Sequence, residues 1–282
     1  MKLGKVHYHI VNGIDEAISL NQTHEGNAKY MAGGQSLMPM MSLRLIFSEE
    51  VIDISQLPDL KKCFATKERF FIGSGVTHAM IEDGKIEDPT HGYLQHVAQG
   101  IAYRGVRNKG TIGGSIVNAD PAADWPTALL ALGASVMIKT HAEEIETPIG
   151  DFQCGLMQTS LKETDLVKGV FVPFLSEKAK WSYVKFCHKV GEFAHSIAAI
   201  VIDPELRIFN AILGAAGDKP VLLPHLSKYL SSANIKNADL DKDLNDLLDS
   251  DLLENTFHLS SSYEFNLHRS IVKKAVMEAL KK

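Results

Sequence analysis

A layered α/β or α+β protein is what this 282-residue sequence predicts, on three observations. Short strand-like runs closed by glycine alternate with helical segments. Two double-glycine loops, Gly33-Gly34 and Gly113-Gly114, punctuate that alternation. The chain then ends in leucine-rich sequence at helix-like intervals.

In chain order, Asp15 to Leu20 starts a short helix on Ala17, Ile18 and Leu20, and Lys29 to Ala32 reads as a strand running into the first glycine pair. Ser36 to Leu45 alternates bulky apolar and polar residues, and Val51 to Ile54 is a further short strand. Phe70 to Ile72 is strand-like and stops at Gly73; Thr77 is placed to cap a helix through Ile81. Val97 to Ile101 reads as a helix end, followed by a basic loop through Arg104 to Lys109 and the second glycine loop, Thr111 to Ser115. Beyond the polar run Asn118 to Asp124, Thr127 to Leu132 is helical, and Ser135 to Lys139 and Leu166 to Val172 are strands. Tyr183 to Phe186, Ala198 to Ile202 and Arg207 to Gly214 continue the strand pattern. Asn237 to Asn255 and His268 to Leu280 are the closing helices, the last followed by Lys281 and Lys282, whose charge suits a helix C-terminus.

Composition narrows the function. Twenty-nine basic against 34 acidic residues give a formal charge of −5, and no cluster of Lys and Arg is large enough for nucleic-acid binding. Cys63, Cys154 and Cys187 are scattered and form no CxxC, so neither an iron–sulfur nor a zinc site is expected in this chain. His7/His9 and His91/His96 lack a completing ligand set, there is no HExxH, and no metal site is expected. The N-terminus lacks a signal-peptide core, and Ala128 to Ile138 is too short to span a bilayer, so a cytoplasmic protein without a membrane span is expected.

Most of the chemical information lies in Ala32-Gly33-Gly34-Gln35-Ser36 and Thr111-Ile112-Gly113-Gly114-Ser115. Glycine permits the backbone angles that aim successive N–H groups at one point, and it leaves room for a ligand. Ser36, Thr111 and Ser115 add hydroxyls, so two such loops could embrace a diphosphate; each alone is more often a tight turn. Neither fits GxGxxG nor GxxxxGK[ST]. Arg104 and Arg107 either touch phosphate or form a solvated face, and Asp120 with Asp124 is either an acid–base pair or a pair that caps the loop and contacts a ligand.

Ala32 to Leu45 (AGGQSLMPMMSLRL) and Val106 to Pro126 (VRNKGTIGGSIVNADPAADWP) resemble the paired FAD signatures of molybdenum hydroxylase flavin subunits. That family includes the medium subunit of carbon monoxide dehydrogenases and the flavin portion of xanthine dehydrogenases. Ile72 to Thr77 (IGSGVT) is similar to a third, weaker family motif, and Tyr183 to Ala199 resembles the start of the family's C-terminal domain. The resemblance implies an α+β fold of the vanillyl-alcohol-oxidase/p-cresol-methylhydroxylase (PCMH) type. Residues 1–175 would form the FAD-binding domain, in subdomains of about 1–57 and 58–175, and residues 176–282 a smaller C-terminal domain.

It also implies roles. The backbone of Ala32, Gly33, Gly34, Gln35 and Ser36 and of Thr111, Ile112, Gly113, Gly114 and Ser115 would hold the pyrophosphate of FAD. Asp124 would bond the cofactor's polar portion, Val167 would line the ring, and Lys185 would stand near its pyrimidine edge. Gln35 replaces a frequent His or Asn, Ser115 a frequent Asn, Tyr103 a frequent His and Gly105 a frequent Gln.

The implied function is electron transfer. A large molybdenum-cofactor subunit would hydroxylate the substrate, and a small 2Fe-2S subunit would pass electrons to FAD here, then on to an external acceptor such as NAD. The alternatives are a self-sufficient PCMH-type flavin oxidase or reductase, and a scaffold subunit without FAD.

Overall fold

The computed structural model describes residues 4–232, 240–255 and 261–281. Three sheets carry the architecture, with helices packed against each.

The first sheet contains β1 (His7–Ile10), β2 (Lys29–Met31) and β3 (Glu50–Asp53), in the order β1-β3-β2 with all pairings parallel. Parallel neighbours require crossovers, and helix α1 (Ile14–Thr23) makes the one between β1 and β2. Ile14, Ala17, Ile18 and Asn21 recur at helical spacing and form its buried stripe. That stripe packs with Val11, Ile52 and Ile54 in a small core under the sheet. Between β2 and β3 lies α2 (Leu37–Ser42), so the alternating stretch after the first glycine pair is a short helix and not extended chain.

The second sheet is antiparallel: β4 (Cys63–Ala65), β5 (Arg69–Gly73), β6 (Ser135–Lys139), β7 (Glu144–Pro148) and β10 (Leu166–Pro173), in the order β4-β5-β10-β6-β7. Between β5 and β6 run five helices: α3 (His78–Glu82), α4 (Tyr93–Gln99), α5 (Arg104–Arg107), α6 (Ile112–Asn118) and α7 (Asp124–Ala131). A short helix α8 (Ile149–Phe152) and the two-stranded β8 (Gln153–Gly155) and β9 (Gln158–Thr159) complete the segment. Two expectations change here. Arg104 to Lys109 contains one helical turn, and Thr111 to Ser115 is the cap and first turn of α6.

The third sheet is β11 (Lys180–Phe186), β12 (Ser196–Asp203), β13 (Ile208–Gly214) and β14 (Val221–Leu222), antiparallel in that order. It is covered by α9 (Pro224–Leu230), α10 (Leu240–Asn255) and α11 (Ser262–Lys281). The expected helix over Asn237 to Asn255 is present from Leu240; residues 237–239 and Lys282 lie outside the described residues.

Strand β12 joins the two larger cores. All eight of its residues are buried, as a central strand covered on both faces must be. Because successive side chains alternate faces, Ile197, Ala199 and Val201 pack into the central core with α7, while Ala198, Ile200 and Ile202 pack under α10 and α11. The approach of α7 is close enough that a Cβ on Gly214 would lie 2.0 Å from Thr127 Oγ1. Among the described residues no helix is long and apolar enough to cross a membrane.

Ile200 is fully buried between β12 and the closing helices. Ile200→Ala is therefore expected to cost about 2–5 kcal/mol, seen as a lower denaturant midpoint for the C-terminal sheet's unfolding.

Candidate functional site

The two glycine loops meet backbone to backbone. A Cβ on Gly33 would stand 2.1 Å from the Lys109 carbonyl oxygen and 2.9 Å from Gly110 Cα, so only glycine permits this contact. Gly34 completes the turn at a φ of +68°, in the left-handed region that glycine favours. The first glycine of the second pair is pressed against another segment: a Cβ on Gly113 would lie 2.3 Å from Ser74 Cβ. Over this junction opens a cavity of about 880 Å³, bounded by all three sheet units. That volume stands near the upper end of the roughly 300–1,000 Å³ range for small-molecule sites, as an extended dinucleotide requires.

The loops present different chemistry to the cavity. The N–H groups of Gly33, Gly34, Gln35 and Ser36 have no backbone acceptor among the described residues, and Gln35 Nε2 steadies the turn by donating to the Gly33 carbonyl at 3.1 Å. In the second loop the N–H groups are committed. Ile112 donates to Val76, Gly113 to Ser74 and Ser115 to Thr111, all through backbone carbonyls, while Gly114 donates to Thr111 Oγ1 at 3.0 Å. So the expected nest is present at Gly33-Gly34. At Gly113-Gly114 a capped helix start takes its place, offering glycine surface and the hydroxyls of Thr111 and Ser115. Ile112 is wholly buried in the central core and does not line the cavity.

Ala32, Asp124 and Val167 line the cavity with the loops; Lys185 stands behind it. Asp124, the first residue of α7, accepts from the Tyr183 hydroxyl at 2.7 Å and from Lys185 Nζ at 2.8 Å through the same oxygen. Lys185 also donates to the Gly100 carbonyl at 2.7 Å, so one ammonium ties β11 to α7 and to the end of α4. Burial and the neighbouring carboxylate push the Tyr183 phenol well up, keeping it a neutral donor. Asp120 accepts from the Ala122 N–H in a local turn and, unlike Asp124, does not line the cavity. Of the residues between Lys185 and Ala194, Gly191, Glu192 and Phe193 reach the cavity, whereas His188 meets the His195 ring edge-on, centroids 4.4 Å apart.

Neither Arg104 nor Arg107 lines the cavity; Arg104 lies on the exposed surface, while Arg107 is partly buried. Arg107 pairs with Glu82 at 2.8 Å and donates to the Ile101 and Ala102 carbonyls; Arg104 bridges Glu82 and Asp83. Both guanidinium groups thus clamp α5 to α3, and Arg107 holds the segment at Ile101 and Ala102, which lines the cavity. His91 and His96 are held by the Leu175 and Tyr183 carbonyls. His7 and His9, by contrast, do have neighbours of ligand type, in Glu50 and His24.

One site residue went unread in the sequence. His78, next to the cap Thr77, lines the cavity and accepts from Trp125 Nε1 at 3.0 Å through Nδ1. That bond leaves the proton on Nε2. A histidine directly after the IGSGVT motif was the available signal, but its indole partner is far away in sequence.

Fold and cavity together define an α+β protein with a glycine-framed site for a nucleotide cofactor. Residues 4–175 match the family described as the FAD binding domain in molybdopterin dehydrogenase, and the chain belongs to that family: an oxidoreductase subunit whose cofactor is FAD. It is 30% identical to the glyceraldehyde dehydrogenase medium chain of Sulfolobus acidocaldarius, over 95% of this chain and 94% of that one. It is 28% identical to caffeine dehydrogenase subunit beta of a Pseudomonas species, over 82% and 79% respectively. The fold matches a chain of carbon monoxide dehydrogenase from Hydrogenophaga pseudoflava, with a TM-score of 0.88 at 24% identity, covering 100% of this chain and 99% of that one. The residues present fit the cofactor: the free N–H groups suit a diphosphate, and the cavity has the volume for the rest.

Burial, and then the charge of Arg107, lower the His78 pKa from 6.5 to about 4. The unfolded chain takes up a proton near the ordinary value, and the folded one resists it. The stability gained by keeping His78 neutral is thus complete above the ordinary pKa and is lost as pH falls toward about 4. Denaturant unfolding is expected to show a loss of about 3 kcal/mol over that window, and His78→Gln to flatten it.

Proposed function

We propose that this chain carries electrons through FAD between a cluster-bearing partner and an external acceptor, as the medium subunit of a molybdenum hydroxylase. The observation that carries the reading is the glycine-framed cavity with free N–H donors at Gly33 to Ser36. Relatives named as a medium chain and a subunit beta of dehydrogenases support the place in a larger complex.

In this reading the first loop binds the pyrophosphate through backbone N–H groups, and Thr111 and Ser115 add hydroxyl contacts from the second. Ala32 and the paired glycines shape the wall there, and Ile112 acts only by anchoring α6. Val167 packs against the flavin ring. Asp124, held by Lys185 and Tyr183, presents its carboxylate to the cofactor's polar portion. The Lys185 ammonium, close behind it, offsets negative charge gathered on the pyrimidine edge. Bound FAD supplies a redox centre that accepts electrons from a cluster and releases them to NAD or another acceptor. The partners are a large molybdenum-cofactor subunit and a small 2Fe-2S subunit.

We divide the chain accordingly into subdomains of about 1–57 and 58–175 around the cofactor and a C-terminal domain of 176–282. The three sheets and the family match over residues 4–175 support that division. A self-sufficient oxidase is less well served by the site, since Asp120 is spent on a turn and Asp124 is paired with Lys185.

Gly33→Ala tests the reading. The added methyl has no room against the Lys109 carbonyl, so the loops must separate and the N–H array must turn. The purified variant is expected to lack flavin absorbance and to release little FAD on acid treatment, while wild type releases about one per chain. A variant that retains full FAD overturns the loop assignment. With wild type, reduction of the flavin by a hydroxylase substrate should require both partner subunits; reduction by this chain alone would favour the self-sufficient alternative.

A further inference from the structure

Three residues remote in sequence converge at the end of the first sheet, away from the glycine loops. His9 Nε2 lies 2.5 Å from one Glu50 carboxylate oxygen, and His24 Nε2 lies 3.9 Å from the same oxygen. One ligand atom from each of the three falls within 4.8 Å of the others. The two rings stand 5.6 Å apart, tilted at 46°. His7 Nδ1 holds the second Glu50 oxygen at 2.7 Å.

The topology explains the convergence. β1 and β3 are parallel neighbours with His7 opposite Glu50, so His7, His9 and Glu50 share the face that α1 covers. A crossover helix returns the chain toward the start of the strands, which brings the C-terminal end of α1 to that edge. His24 is its capping residue. The negative end of the helix dipole therefore points at the cluster, a favourable position for a cation.

We propose that His9, His24 and Glu50 form a binding site for a divalent transition-metal ion of the zinc class, with His7 as the group that orients the carboxylate. Two imidazoles and one carboxylate are a ligand set that zinc takes, and three protein ligands leave a position for water or an outside donor. Ligand atoms around tetrahedral zinc stand about 3.3 Å apart, given bonds of about 2.0–2.1 Å. The observed 2.5 and 3.9 Å bracket that spacing. The required shifts are small, and the side chains, about 30% exposed at His9 and 29% at His24, have room to make them. The ion would join β1, α1 and β3 into one cross-linked unit and fix the N-terminal strand.

The test is calorimetric titration of ZnCl2 into the chelator-treated full-length chain with FAD bound, together with thermal unfolding. Wild type is expected to take up one Zn2+ per chain and to unfold at a higher temperature with the ion present. His9→Ala and His24→Asn should each weaken this binding at least tenfold and abolish the thermal shift. His7→Ala, which removes only the orienting group, should weaken it about tenfold. His141→Ala, at an exposed turn, should leave it unchanged. Failure of wild type to bind, or undiminished binding in the His9→Ala/His24→Asn double variant, would overturn the proposal. Flavin absorbance recorded on each variant separates these outcomes from any loss of the FAD site.

Discussion

The contact between Gly33 and the Lys109 carbonyl sets the geometry on which the cofactor site depends. Two backbone segments, one from the parallel sheet and one leading into α6, approach within a distance that excludes any side chain. That approach fixes the width of the cavity at its polar end. The first loop keeps its N–H groups unspent, and Gly33 to Ser36 line the open cavity. Open to the cavity, these donors are available to an anionic ligand.

The second loop contributes rigidity. Its N–H groups are consumed in capping α6 and in anchoring it to Val76 and Ser74. Around it, charge pairs hold the neighbouring elements in place. The Arg107–Glu82 pair keeps the α4–α5 connection against the cavity, and Lys185 links the C-terminal sheet to the start of α7 through Asp124. The partly buried pair is well hydrogen-bonded, which is the condition for such a pair to be tolerated. A flavin in this cavity would contact residues from all three sheet units, so binding and the mutual arrangement of the units are coupled.

The local elements were readable from the sequence where one principle dominated. The apolar spacing of α1, the Thr77 cap and the runs of β10 and β12 were each sufficient. The glycine pairs were legible as a site because two of them share a hydroxyl-rich context. What the sequence withheld was pairing at a distance. Nothing local distinguishes a loop glycine that frees its N–H groups from Gly113, whose N–H is taken by Ser74. For Arg104 and Arg107 the sequence left phosphate contact and a solvated face both open, because their partners Glu82 and Asp83 lie more than twenty residues away. His7 and His9 looked incomplete because Glu50 and His24 arrive only through the crossover. β7, with Ile145 exposed on it, is defined by its register against β6 more than by its own residues.

The account rests on a division of labour between the two loops, and amide hydrogen exchange with and without FAD addresses it directly. The apo-protein should already protect the N–H groups of Ile112, Gly113 and Ser115, while those of Gly33 to Ser36 exchange fast and become protected only when FAD is added. If FAD binds and the first loop continues to exchange freely, the pyrophosphate lies elsewhere and the central assignment is wrong.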